Sequence, residues 1–179
     1  KLCSSNGNFT MTSKLKVNLI NDSGDNNIIT SDGSGVITSS KFKIGQVIQG
    51  TTTSELTSTS SSYADTGLTA SITPTSTSSK VLIFISQNGV RKQSNHTNNA
   101  INIKLLRDST DISTFFLYSL YTGTSLDLYG ATLSVNFLDT PASTSAITYK
   151  TQYANYGTGN IRIQDASSMS TITLMEILD

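Results

Sequence analysis

Few residues of this chain could do acid–base or metal chemistry, and they do not gather. His96 is the only histidine in 179 residues, so no multi-histidine metal set can form, and a general base would need an acidic partner. It stands in "RKQSNHTNN", a loop of Asn, Ser, Thr and Gln that also holds Arg91 and Lys92, where a solvated or ligand-touching role suits it better than catalysis. Cys3 is the only cysteine, so an internal disulfide is excluded and an inert thiol is the expectation. The densest acidic stretch is "NDSGDNNIITSDGSG", with Asp22, Asp25 and Asp32. Calcium favours such oxygen-rich turns, but the D-x-[DN]-x-[DN]-G register with its distal Glu is missing, and Asx turns between short strands account for these residues. Asp108, Asp111 and Asp127 read as strand-end residues, and no carboxylate pair has a glycosidase context. No phosphate-binding glycine loop, nucleophile elbow or Cys-x-x-Cys occurs. The chain reads as non-enzymatic, with no cofactor and no metal.

Hydroxyl groups are what the chain has in excess. Ser and Thr make up roughly three residues in ten, well above ordinary usage. Charged residues make up 13%, about half of the ~25% usual for soluble domains. Lys plus Arg number 12 and Asp plus Glu number 12, so no net charge draws the chain to nucleic acid or anionic lipid. No apolar run approaches the ~20 residues of a membrane-spanning helix, and membrane insertion is not expected. Ile, Leu, Val, Phe and Tyr recur at short intervals with Asn, Asp, Gly and Ser between them, which is the pattern of strands and turns.

Positioning therefore falls to strands. Residues 1–10, "KLCSSNGNFT", precede "MTSKLKV", which looks like a natural start, and carry no functional weight here. In "SKLKVNLIND", Leu15, Val17 and Leu19 alternate with polar residues, as in a half-buried strand. Residues 11–44 hold short strands and closely spaced turns, too little for an independent core, and read as a β-rich stalk or attachment segment. Residues 45–179 read as an antiparallel β-sandwich. Leu68, Ala70 and Ile72 alternate before Pro74; Ile101, Ile103 and Leu105 alternate; so do Leu133, Val135 and Phe137, and Ile147, Tyr149, Thr151 and Tyr153. Val81 to Ile85 is apolar on both parities, which predicts burial on both faces, one in the sandwich core and the other under a subunit partner. The closing "STITLMEIL" has the same character. With no convincing helix, the class is all-β, a sandwich or barrel.

The residues Tyr63, Asp65, Thr66, Gly67 and Leu68, then Ile72 to Pro74, Ser79 to Leu82, and Leu106 to Asp108 resemble a module recurrent in tailed-phage fibre and virion structural proteins, marine phages especially. The resemblance covers most of the chain and rests on strand and turn signatures. It implies a jelly-roll-like sandwich of the tumour-necrosis-factor type, usually a homotrimer about a threefold axis, located on the phage particle. The implied role is a trimeric fibre or spike whose head contacts the host surface, with residues 11–44 engaging other virion proteins. A capsid decoration protein and a carbohydrate-binding module or lectin are the alternatives. Receptor contact, including host glycan, is expected from Arg91, Lys92, Asn95, His96 and Tyr156. Phe84, Phe115, Phe116 and Tyr118 are expected at a subunit interface, or else in the core of one chain.

Overall fold

The computed structural model describes residues 19–21, 23–25, 27–31, 37–38, 43–93 and 96–178. The chain forms two compact units, Lys1–Phe42 and Lys43–Asp179. In the first, β1 (Leu19–Asn21), β2 (Asn27–Ser31) and β3 (Ile37–Thr38) make a small antiparallel sheet in that order. Asp25 takes φ 59° in the turn between β1 and β2, a left-handed conformation that Asp tolerates better than most residues. Leu15, Val17, Asp22 and Asp32 lie outside the described residues.

The second unit is a sandwich of two antiparallel sheets. The first contains β4 (Ile44–Thr52), β5 (Leu56–Ser58), β7 (Lys80–Lys92), β10 (Leu128–Asp139), β12 (Ile161–Ile163) and β13 (Ser170–Ile177). The second has the order β6 (Ala64–Ile72), β11 (Ile147–Asn155), β8 (Ile101–Arg107), β9 (Thr110–Ser119). Register shows that β5 prolongs the lane of β4, and β12 that of β13, because β13 pairs with both β4 and β7 while β12 pairs with both β5 and β7. The first sheet is thus four lanes wide, with β10 on the other edge of β7. Every link between lanes except the β8–β9 hairpin crosses from one sheet to the other. Eight lanes connected this way form a jelly roll rather than a closed barrel.

Alternation does the folding work. Thr66, Leu68, Ala70 and Ile72 of β6 point inward, as do Val81, Ile83, Ile85 and Gln87 of β7 and Ile147, Tyr149, Thr151 and Tyr153 of β11. Each fully buried Leu or Ile contributes about 1.5–3 kcal/mol, so the core is ample for a domain of this size. It has two halves. One gathers Leu68, Ile72, Val81, Ile83, Leu105, Tyr149, Ile172 and Leu174; the other gathers Val90, Ile101, Ile103, Tyr153, Ile161 and Ile163.

Between the halves lies a buried polar seam. Thr66 Oγ1 and Thr151 Oγ1 are 2.5 Å apart, Thr151 Oγ1 donates to Gln87 Oε1 at 3.2 Å, and Gln87 Nε2 donates to Ser170 Oγ at 3.0 Å. Paired groups in such a seam avoid the cost of burial without partners and fix the register of the strands they join. At the seam β7 passes through Gly89 at φ 60°, where a Cβ would come within 2.5 Å of the Asp165 nitrogen in the turn Asp165–Ser167. Only glycine fits.

The apolar run at Val81 to Ile85 is buried on one face only. Val81, Ile83 and Ile85 lie in the core, whereas Leu82 is half-buried and Phe84 is 42% exposed. Within the Lys43–Asp179 unit, no second layer covers the outward side among the described residues. On the closing strand Ile172 and Leu174 are buried and Met175 is half-buried on the opposite face.

Candidate ligand-binding site

Because the lanes alternate in direction, the links β5–β6, β7–β8, β9–β10 and β11–β12 all open at one end of the sandwich. Backbone bonds stitch them together. Tyr156 N donates to Ala100 O at 2.9 Å, Gln93 N to Asn160 O at 3.1 Å, and Asn155 N to Ser60 O at 2.8 Å.

Two buried asparagines hold this end. Asn155 Oδ1 accepts from Gly157 N at 2.9 Å and from Ala100 N at 3.4 Å, while its Nδ2 donates to Gly159 O and to Asn99 Oδ1. Asn99 Oδ1 also accepts from Gly159 N at 2.7 Å, and its Nδ2 reaches Asn160 O at 3.3 Å. Short amide side chains can imitate backbone in this way, which is why Asn suits tight loops. The loops approach so closely that a Cβ on Gly157 would lie 2.3 Å from Asn98 O.

Lys92 completes the frame. Its side chain is wholly excluded from solvent, and Nζ donates to Thr122 Oγ1 at 2.6 Å, Thr124 O at 2.8 Å and Thr97 O at 3.4 Å. Burial holds its pKa below the usual lysine value. Three oxygens from two loops around one ammonium tie the β7–β8 and β9–β10 links together.

On this frame stand three tyrosines. Tyr118 meets Tyr156 edge to face, with centroids 4.5 Å apart and planes at 85°; Tyr121 meets Tyr156 at 6.1 Å and 77°. Tyr118, Tyr121 and Tyr156 are 52%, 48% and 50% exposed, and they line a cleft of about 290 Å³. Tyr121 OH donates to Asn98 Oδ1 at 3.3 Å, and Asn98 N donates to His96 Nδ1 at 3.0 Å. The backbone under the cleft is strained: Tyr118 and Leu120 have φ of 56° and 63°, and Tyr118 N is caught by Asn102 Oδ1 at 2.8 Å. Left-handed bulky residues persist where surroundings over-determine them, and they cluster at binding sites.

The expected receptor residues are thus distributed unevenly. His96 and Tyr156 belong to the same loop end. Lys92 lies beneath it and cannot reach a ligand directly. Arg91 points elsewhere, its guanidinium 3.9 Å over the ring of Tyr129 and paired with Asp127 at 3.3 Å and Asp165 at 3.6 Å. Asn95 lies outside the described residues. Of the expected interface residues, Phe84 faces outward on β7, whereas Phe115 and Phe116 are half-buried, stack edge to face at 5.4 Å and pack against the core. Tyr118 stands in the cleft. Sequence reading singles out Tyr156 and the His96 loop without placing them beside Tyr118 and Tyr121. The signal that finds it is the alternation of loops between the two ends of a jelly roll.

A second surface lies on the outward side of the first sheet. Register places Leu138 opposite Leu82, Leu82 opposite Met175, and Met175 opposite Val47. These residues make one apolar row across all four lanes, with Leu138 52% and Val47 54% exposed. The next row, Asn136–Phe84–Thr173–Gln49, is uncharged.

No family model matches this chain, and no curated protein matches it. Among solved structures it is similar to the infectious bursal disease virus VP2 subviral particle at 13% identity and a TM-score of 0.47, covering 81% of this chain and 36% of that one. It is also similar to the infectious bursal disease virus Gt strain structure at 12% identity and a TM-score of 0.40, covering 82% of this chain and 41% of that one. The chain spans well under half the length of either.

Proposed function

We propose that this chain is a non-enzymatic structural protein of a virion, a homotrimeric fibre or spike whose jelly-roll unit meets the host surface and whose residues 11–44 engage other virion proteins. The sequence resemblance to phage virion modules motivates the setting and the threefold symmetry. The observation that carries the assembly is the outward row Val47–Met175–Leu82–Leu138. A contiguous apolar row with both ends open to water, Val47 and Leu138, supports reading this face as an interaction surface. Its natural cover is another copy of the same chain. The net charge is zero, so copies do not repel one another, and the flanking row offers uncharged hydrogen-bonding groups for a rim.

Light scattering on the full chain at low concentration tests this. The expected mass is about three times the chain's 19.1 kDa, and Leu82→Lys reduces it to that of one chain. A wild-type mass of a single chain removes the fibre reading.

A further inference from the structure

The geometry points to the Tyr118–Tyr121–Tyr156 cleft as a saccharide-binding site, taking a neutral pyranoside whose C–H face lies on the phenol rings. This rests on the attachment reading for where such a ligand is met, and the experiment below separates the two.

The chemistry of the lining selects the ligand class. Among the described residues all three lining side chains are tyrosines, each half-exposed, each an apolar ring with a hydroxyl at its tip. A pyranose has the matching character, with an apolar C–H face bounded by hydroxyls. The cleft volume of about 290 Å³ falls at the small end of ligand pockets, roughly 300–1,000 Å³, and suits one sugar unit of a longer chain. Tyrosine faces also attract cations, but among the described residues the lining holds no carboxylate to neutralise one. The charge built into the frame, Lys92, is positive. An apolar peptide anchor would want a closed pocket of aliphatic side chains, which this open, hydroxyl-tipped lining does not supply.

The site is also preorganised. The Tyr118–Tyr156 contact and the Tyr121–Asn98–His96 chain of hydrogen bonds restrict the rings before any ligand arrives, and Asn102 Oδ1 holds the left-handed backbone at Tyr118 N. The buried Asn99–Asn155 and Lys92 interactions hold the loops beneath them. A site whose aromatic platforms are already immobile loses less entropy on binding.

The test titrates the full chain with neutral oligosaccharides of glucose, galactose, mannose and N-acetylhexosamines. The chain has no tryptophan and three of its seven tyrosines line the cleft, so a saturable change in tyrosine emission that Tyr156→Ala and Tyr121→Ala reduce reports on the cleft. Saturation-transfer NMR identifies the contacting sugar protons. At least one oligosaccharide is expected to bind saturably. Tyr156→Ala and Tyr121→Ala are each expected to weaken it at least about tenfold, the loss of one stacking platform, with solution mass unchanged and cooperative unfolding retained. No saturable response from any oligosaccharide, or binding indifferent to both substitutions, overturns the proposal. So does attachment to cells that survives periodate oxidation of surface glycans but not protease treatment; the partner is then a protein, and the attachment reading stands without this site. Saccharide binding by a chain that remains a single copy supports the site while the assembly reading fails.

Discussion

Strand β7 serves two regions built on opposite principles. Its first half sets Leu82 and Phe84 outward in an apolar surface that needs no special backbone, only alternation at period two. Its last residues lead into an end where Lys92, Asn99 and Asn155 are buried and fully engaged so that three tyrosines can stand half in water. The outward face costs the single chain little to change, because Val47, Phe84 and Leu138 already stand in water and Leu82 and Met175 are only half-buried. The loop end is costly to change, because its frame consists of buried polar groups whose partners have no substitute. The lesson is that this molecule can adjust its outward sheet face by simple substitution, whereas the three tyrosines of its loop end depend on a few buried residues beneath them.

The contrast breaks most directly at Asn155. Asn155→Ala strands Gly157 N and Ala100 N, both of which it serves in the wild type. The expected loss is about 3 kcal/mol, one or more for each donor left unpaired, Ala100 N buried and Gly157 N partly so, read as a lower urea midpoint at unchanged slope. A loss under about 1 kcal/mol shows the loop end to be self-supporting.

A smaller effect is expected at the opposite end of β7, where Glu176 is buried without a cationic partner among the described residues. Burial alone would raise its pKa. Hydrogen bonds from Gln46 Nε2 at 2.8 Å and from Thr75 N and Oγ1 at 2.6 and 2.7 Å outweigh that and hold it below the ordinary glutamate value. Between that lowered folded value and the unfolded value near ~4.3, the unfolded chain binds the extra proton, so stability rises with pH. The contribution is fully present above the unfolded value and is lost as pH falls through the folded one. Glu176→Gln is expected to cost about 2 kcal/mol at neutral pH. The gap to wild type should close progressively below about pH 4 in denaturant titrations run across pH. A constant gap contradicts the charged, hydrogen-bonded state.

The smallest effect belongs to the outward face. Leu82→Lys is expected to change the unfolding free energy of the single chain by less than about 1 kcal/mol, measured at a concentration where the variant is monomeric. A larger loss places Leu82 in the folding core and weakens the contrast.

These regions differ in the same way in their legibility. The alternation of Leu68, Ala70 and Ile72, or of Ile101, Ile103 and Leu105, leads straight to the inward faces observed, because side-chain period in a strand is local. The double-parity run at Val81 to Ile85 marks both the core and the outward pair, half-buried Leu82 and exposed Phe84, but a run cannot say what, if anything, covers its second face. The cleft is a different matter. Tyr118 and Tyr121 are 38 and 35 residues from Tyr156 in sequence, a separation read from their numbers. They meet because links that cross between sheets return to the same end. Lys92 reads as a surface cation in a polar loop, yet it is buried, since three oxygens from two loops reach it only after the jelly roll closes.

The central claim is that copies of this chain cover the outward face of the first sheet. Methionine oxidation tests it within one molecule. Met175 lies in the apolar row, and Met169, 54% exposed, lies outside it as an internal reference. With dilute peroxide and peptide mass spectrometry, the account predicts that Met169 is oxidised at least about tenfold faster than Met175 in the wild type, since oxidation follows exposure. In Leu82→Lys the Met175 rate should rise toward that of Met169. Comparable rates at the two sites in the wild type, unchanged by Leu82→Lys, would mean that the row stays open to water, and the account of assembly would be contradicted.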